Sequence, residues 1–481
     1  MTNQKQTALN INASEGLWQW LNDQQLSLAF TTYQTNRLFL VGCKPEGRLN
    51  VNERLFDKPM GLYAHQNSLY MATRYQLWQL ENRLAPGETY QGHDRLYIPS
   101  QSHTTGDLNV HDVVVDKHGQ LLFINTDFSC LAVLRPGYSF EPLWQPPFIS
   151  KLAAEDRCHL NGLALCGGEA TYVTACSRTN EGAGWRKHRL DGGIVMHIPS
   201  NEIIATGLSM PHSPRWYQGK LWLLNAGTGE LGYLDGERFV PVTFCPGFVR
   251  GLAFVGHYAL VGLSKLRSKA FGGLVLEQRL LERGLTSQCG LQVIDLNTGQ
   301  VVHSLIMDSV VEELFDVVIL PNVVIPTTVG FMEEDIDRLV NFPSSNGLVT
   351  TKPTVSRVGA ADIQIAGLPR QSQLAETEPR PVNYQRVYHL TPDNLAPYDA
   401  LTYPSLQKRW QTQAQQGELQ AISASVGGQM VGFIVAEQQP DTDSETPAFD
   451  VLSLFVLPDY RHQGIATALS RHLHLTLGTM C

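Results

Sequence analysis

Seven stretches of this chain begin alike, and that repetition limits its fold more than any other feature. They are "SLAFTTYQTNRLFLVG" from Ser27, "GLYAHQNSLYMAT" from Gly61, "DVVVDKHGQLLFINT" from Asp112, "GLALCGGEATYVTA" from Gly162, "SPRWYQGKLWLLN" from Ser213, "GLAFVGHYALVGLS" from Gly251 and "DVVILPNVVIPTTVG" from Asp316. Each opens on a small or acidic residue, runs apolar for about four residues, turns at Gly, Asn or His, and runs apolar again, as a β-hairpin does. Further strand signals follow, such as "GGIVMHIPS" and "LQVIDLNTGQVVHSLI". The openings lie 34, 51, 50, 51, 38 and 65 residues apart. Such spacings bracket one four-stranded propeller blade per repeat. A blade buries its faces only against its neighbours, so a closed ring is the stable arrangement. The pattern predicts an all-β propeller of seven blades, or of six if the first and last segments share one. A β-sandwich does not account for seven copies of one opening.

A chain of 481 residues is long enough for two to three domains. The pattern changes near residue 340: residues 341–385 are rich in Pro, Ser, Thr and Gln, without a clear period. They read as a partly disordered linker. The expected organisation is a propeller-like domain over 15–335, a linker over 341–385 and a mixed α/β domain over 386–481. A helical pattern at Glu15–Gln25 precedes the first repeat. The net charge of −9, with no long Lys/Arg run, argues against nucleic acid or an anionic membrane as partner. The polar N-terminus has no apolar signal region, and no apolar run reaches transmembrane length. Eight cysteines are scattered without a CxxC pair. Reduced thiols in a cytoplasm are therefore expected, rather than a disulfide framework or a zinc site.

In a propeller, the residue before each opening lies at the start of the innermost strand and faces the central channel. Those residues are Met60, His111, Asn161, His212, Arg250 and Phe315, with Asp112, His159, Glu313 and Asp316 close by. The candidate channel site is thus His111, Asp112, His159, Asn161, His212 and Arg250. Two chemistries are open to it. His111, Asn161, His212 and Asp112 offer nitrogen and oxygen ligands to a divalent metal. Paired basic groups, or a histidine with Arg250, would bind a carboxylate or phosphate. The competing structural reading is that such His and Asp residues cap turns or bond backbone across the ring. The basic run "AGWRKHRLDGG", Ala183 to Gly193, reads as a solvated face.

"VHDVVVD", "EDRCHLNGLAL", "GLSMPHSPRW", "LWLLNAGTGELG", "VRGLAFVG" and "VVEELFDVVILP" resemble the signature blocks of a bacterial family of conserved hypothetical, β-propeller-like proteins. The resemblance covers roughly residues 15–335 and implies a propeller without an assured activity. "HLNGLAL" is also similar to the "PNGLA" strand of gluconolactonase-like propellers, whose Asn binds a divalent metal. That likeness reaches Asn161 alone.

Beyond the linker, "QRVYHLTP" reads as a strand, and "DNLAPYDALTYPSLQKRWQTQAQQ" as helix interrupted by prolines, capped at Asp393. "ELQAISASV" and "QMVGFIVAEQ" form a hairpin signal, and "AFDVLSLFVLPDY" a longer strand. "RHQGIATALSRHLHLTL" is helical, with Ile465, Leu469 and Leu473 on one face. This order, with "LPDYRHQGIA", resembles the GNAT acetyltransferase superfamily, whose R/Q-x-x-G-x-G/A motif matches at Arg461, Gln463, Gly464 and Ala466. The resemblance implies that the main chain of Phe455 and Val456 contacts the acyl and pantetheine arm of acetyl-CoA. It implies too that residues Arg461, His462, Gln463, Gly464, Ile465 and Ala466 hold the pyrophosphate. Free N–H groups and the dipole at a helix start suit that task, and small residues let the phosphate approach. GNAT domains continue past this helix with further strands and a helix, so an incomplete domain is expected within these 481 residues. Tyr388 and Tyr403 match no family acid position. Glu437 is a candidate base that reads equally as a solvated strand-end acid.

Three functions compete. The first is acetyl-CoA-dependent N-acetyl transfer to a small-molecule or peptide amine, with a propeller that binds substrate or a protein partner. The second is a propeller enzyme of metal-dependent hydrolase or lactonase type with a relic tail. The third is a non-catalytic binding scaffold. The tail alone carries a motif tied to defined chemistry, which favours the first, while propellers host many functions.

Overall fold

The computed structural model describes residues 10–266, 272–308, 310–331, 336, 339–344, 347–351, 382–387, 419–427, 429–438, 449–456, 460 and 464–477. The chain divides into two compact units, Met1–Arg357 and Val358–Cys481.

The first unit is a six-bladed β-propeller. Blades two to six run consecutively in sequence, each an antiparallel sheet whose first strand is innermost. Their innermost strands are Leu62–His65, Val110–Val115, Leu160–Cys166, Pro211–Tyr217 and Phe248–Val255. The first blade is composite. Its innermost strand, Asp316–Pro321, comes from the end of the repeat region and pairs with Leu26–Thr32, which continues to Arg37–Lys44 and Arg48–Leu55. The first and last repeats therefore share one blade, and seven segments make six blades. Innermost strands pack side against side in ring order, including the closing contact of Phe248–Val255 with Asp316–Pro321. Two strands add outer or flanking pairing: Asn10–Ala13 on the edge of blade six and Pro326–Thr328, parallel, on blade two. A short helix, Leu17–Asp23, buries Leu17, Trp20 and Leu21 against the core between blades six and one. Innermost strands Val110–Val115 and Leu160–Cys166 bury all or most of their residues, as strands flanked on both faces do.

The opening residue of each innermost strand alternates around the ring: Asp316, Gly61, Asp112, Gly162, Ser213, Gly251. Each oxygen-bearing member reaches the next blade's backbone. Asp316 Oδ2 accepts the Leu62 N–H at 2.9 Å, Asp112 Oδ2 the Leu163 N–H at 3.0 Å, and Ser213 Oγ the Gly251 N–H at 3.0 Å. Each glycine, in turn, gives way to the blade that follows. A Cβ on Gly61 would lie 3.1 Å from the Asp112 Cα, one on Gly251 2.9 Å from the Asp316 Cα, and one on Gly162 would overlap the Pro214 ring. At these opening residues the six blades thus form three pairs, bonded within each pair and close-packed between pairs.

Residues read as the start of the linker form a hairpin, Val340–Ser344 with Gly347–Thr351; residues 352–381 lie outside the described residues. In the second unit, a four-stranded antiparallel sheet runs in the order Val382–Val387, Leu419–Val426, Gln429–Gln438, Phe449–Val456. Helix Ile465–Leu477 lays Ile465, Leu469 and Leu473 on this sheet against Ile422, Ile434 and Val456. The helix expected between residues 393 and 416, with its cap Asp393, lies outside the described residues.

Candidate functional sites

The channel-facing residues do converge, but mostly on one another. His111, Asp112, Asn161, His212, Ser213, Arg250, Phe315 and Asp316 line a cavity of about 10 Å³, room for one water. Asn161 is held at both ends of its amide: Oδ1 accepts the Thr174 hydroxyl at 2.8 Å, and Nδ2 donates to the His159 carbonyl at 3.3 Å. The His212 Nδ1 lies 2.8 Å from the Met210 carbonyl and the His111 Nδ1 2.8 Å from that of Asn109. A carbonyl only accepts, so both rings carry their proton on Nδ1. Burial holds both imidazoles well below the usual histidine range, helped by His159 and Arg250 at His111 and by Arg250 at His212. They are neutral. Arg250, 7% exposed, lies over the rings of Phe248 and Phe315 at 5.0 and 5.2 Å.

His159 meets the His111 ring edge-on at 4.8 Å and is anchored on its other side. Its Nδ1 lies 2.9 Å from Asp156 Oδ1, the Trp185 indole donates to Asp156 Oδ2 at 2.8 Å, and the two rings stack at 4.1 Å. Among the described residues, no group of three His, Cys, Asp or Glu side chains is placed to hold a metal ion. The oxygen of Asn161 already has its donor. The Nδ1 atoms of His111 and His212 likewise face backbone carbonyls, which leaves Nε2 as the open nitrogen of each ring.

Arg215 was missed by sequence reasoning. It lies within "SPRWY", masked by its position inside a strand rather than at the opening. Its Nη1 donates to Asp112 Oδ2 at 2.8 Å and to the Leu163 carbonyl at 3.1 Å; its Nη2 lies 3.8 Å from Asp316 Oδ1. Two carboxylates thus share one guanidinium inside the ring. Burial raises the Asp316 carboxyl to about 7, against the opposing pull of Arg215. The basic run is a solvated turn, as expected: Arg186, Lys187 and His188 are exposed on the 3₁₀ turn Gly184–His188. Six of the seven described cysteines are buried and all seven are unpaired, and burial pushes thiols such as Cys43 up to about 11. No helix among the described residues is long and apolar enough to cross a membrane.

The second unit presents a different kind of site. Gly464 has φ +76°, and a Cβ there would meet nothing within 4 Å. Its carbonyl accepts the Ala468 N–H at 3.0 Å, which makes it the N-cap. The amides of Ile465, Ala466 and Thr467 therefore precede the first intrahelical bond and point out of the helix. Beside this end, Phe449–Val456 pairs on one side with Gln429–Gln438, Phe455 opposite Phe433 and Val456 opposite Gly432. Its other edge has no partner strand among the described residues. Free amides at an open helix start and a free strand edge fit a pyrophosphate and an extended amide-bearing arm. Arg461, His462, Gln463, Tyr388 and Tyr403 lie outside the described residues, as does the side chain of Glu437.

Residues 15–329, more than half of the chain, match the family described as a domain of unknown function, DUF4915. The chain belongs to that family. Residues 384–474 match the acetyltransferase (GNAT) family, so this DUF4915 protein carries a GNAT domain on its C-terminal side. No curated protein matches the sequence. Among solved structures, a nidogen/laminin complex is similar over 62% of this chain and 99% of its own, at 11% identity and TM-score 0.41. A ribosomal-protein-alanine N-acetyltransferase from Brucella melitensis biovar Abortus 2308 is 26% identical over 20% of this chain and 69% of its own, with TM-score 0.17. The aminoglycoside N-acetyltransferase AAC(6')-Iy in complex with CoA is 18% identical over 22% and 76%, with TM-score 0.19.

Proposed function

We propose that this DUF4915 protein is an acetyl-CoA-dependent N-acyltransferase. Its GNAT domain binds the donor, and its propeller recognises the amine-bearing acceptor or a protein partner. The observation that carries the reading is the open, left-handed Gly464 N-cap beside the edge of Phe449–Val456 that has no partner strand among the described residues, inside the segment that matches the GNAT family. Gly464, Ile465 and Ala466, with Arg461, His462 and Gln463, would hold the pyrophosphate; the main chain of Phe455 and Val456 would carry the pantetheine arm. Acetyl-CoA supplies an activated thioester. The acceptor amine forms the new C–N bond as the C–S bond breaks, the amine's proton is lost, and the CoA thiolate leaves. Glu437, opposite Leu419 and Asp450 in the sheet, is the base candidate on that strand pair.

Incubating the full chain with acetyl-CoA and a panel of primary amines, including an aminoglycoside and an N-terminal alanyl peptide, tests this through thiol release. Amine-dependent thiol release above the enzyme-free rate is expected. No release with any amine, from a folded protein that still binds acetyl-CoA, would reduce the domain to a binding module. The hydrolase reading finds no metal constellation in the ring among the described residues.

A further inference from the structure

A second cavity opens in the propeller's centre, on the other side of the ion triad from the one-water space. Its volume is about 280 Å³, and its walls are the innermost strands of blades one, two, five and six. Asp112 and Asp316 line the small space, and Arg215 lines the large one. The large space has aromatic walls. Trp216 is 39% exposed and stacks on Tyr172 at 5.8 Å. Tyr217 stacks on Phe254 at 4.5 Å and is fixed by its hydroxyl donating to the Gly256 carbonyl at 2.8 Å. The volume is just under the roughly 300 Å³ at which ligand pockets commonly begin.

Two polar groups on this wall are unused. The Arg215 guanidinium places its Nη1 and Nη2 on Asp112, Asp316 and two carbonyls, and its Nε–H has no hydrogen-bond partner among the described residues. Nor does the half-buried Tyr63 hydroxyl, which burial keeps protonated and so a donor. Both offer hydrogens and neither offers charge in net excess. A carboxylate ligand would approach a guanidinium already shared by two carboxylates. An ammonium would lie against that guanidinium, with the Tyr63 oxygen as its one side-chain acceptor on this wall. Either would lose hydration without full compensation.

We propose that this cavity binds a small uncharged molecule with an aromatic or aliphatic body and one hydrogen-bond-accepting oxygen. The body lies against the Tyr217–Phe254 pair with Trp216 at the rim, and the oxygen takes the Arg215 Nε–H and the Tyr63 O–H. This site is independent of acyl transfer in the C-terminal domain and stands whether or not that domain turns over.

Saturation-transfer NMR on the full-length protein tests it with three probes of one size: acetanilide, benzoate and benzylamine. Acetanilide is expected to saturate, with benzoate and benzylamine about tenfold weaker or more. Trp216→Ala, at a half-exposed position, weakens acetanilide about fivefold, and Tyr63→Phe, which keeps the ring and removes the donor, about threefold. Gln120→Ala, in the groove between blades two and three, leaves acetanilide binding unchanged and serves as control. Equal or tighter binding of benzoate or benzylamine would overturn the proposal. So would acetanilide binding indifferent to both Trp216→Ala and Tyr63→Phe, or no acetanilide saturation up to its solubility limit.

Discussion

The propeller's polar centre and the GNAT domain's helix start are made of similar groups put to opposite use. At the centre of the ring, Asp112, Asp316, the Nη groups of Arg215, Asn161 and the Nδ1 atoms of two histidines are satisfied by one another or by backbone. At the helix start, the amides after Gly464 precede the first helical bond, and the neighbouring strand edge is unpaired among the described residues. Polar density alone therefore does not mark a binding site. A buried polar group is costly unless it is bonded, so a ring that must close around six strands uses its polar residues to close. A site for a ligand is where donors have been left over.

That contrast can be broken from either side. The largest effect is expected at the helix start. Gly464→Trp adds bulk in the open space before the amides and forces a side chain onto φ +76°. Acetyl-CoA affinity should fall about 100-fold or more by calorimetry, while the propeller, read by urea unfolding of its own transition, is unchanged. Next is Arg215→Met, which strands two buried carboxylates. Urea unfolding should show a loss of about 3–5 kcal/mol, with no change in acetyl-CoA binding. Gly162→Ala follows, because its Cβ would collide with Pro214 between blade pairs; about 1–3 kcal/mol is expected. A cost near zero would show that blades four and five are not close-packed there.

Asp316→Asn sharpens the same point through pH. The Asp316 carboxyl is raised from 3.8 to about 7 in the folded ring. The folded state binds this proton more tightly than the unfolded chain does. The stabilisation is fully present below pH 3.8 and is lost as pH rises through about 7. The asparagine variant, which keeps an oxygen for the Leu62 N–H, should lose less stability than the native protein between pH 5 and pH 8. A melting-temperature difference of a few degrees that grows over this window is expected. The smallest effect belongs to His212→Phe. The His212 Nε2 is buried without a partner, so replacing the ring by an apolar one should shift stability by only about 1 kcal/mol. A loss of 3 kcal/mol or more, on the scale of a broken buried network, would show that a bound group at Nε2 matters.

Much of the propeller was legible because hairpin periodicity and the opening residues repeat in the sequence. The blade count needed pairing that no sequence states: Leu28 sits opposite Ile319, so the first and last repeats fuse into one sheet. The alternation of acid or serine with glycine at the openings was visible as letters, yet its meaning lay in which blade each side chain reaches. His111, Asn161 and His212 line the small central cavity, but composition could not show that Thr174, Met210 and Asn109 had already engaged them. Arg215 was illegible for the converse reason. Its partners Asp112 and Asp316 are 103 and 101 residues away. The helix start at Gly464 was readable because its chemistry is local: a glycine, a cap and an apolar face at Ile465, Leu469 and Leu473.

The most direct test of this account is calorimetric titration of the full-length protein with acetyl-CoA, beside the same titration of Gly464→Trp. One molecule of acetyl-CoA bound per chain, with the heat abolished by the substitution, is the predicted result. No heat from the native chain at about 1 mM ligand, where even weak binders register, would contradict it. So would equal binding by the native and substituted proteins.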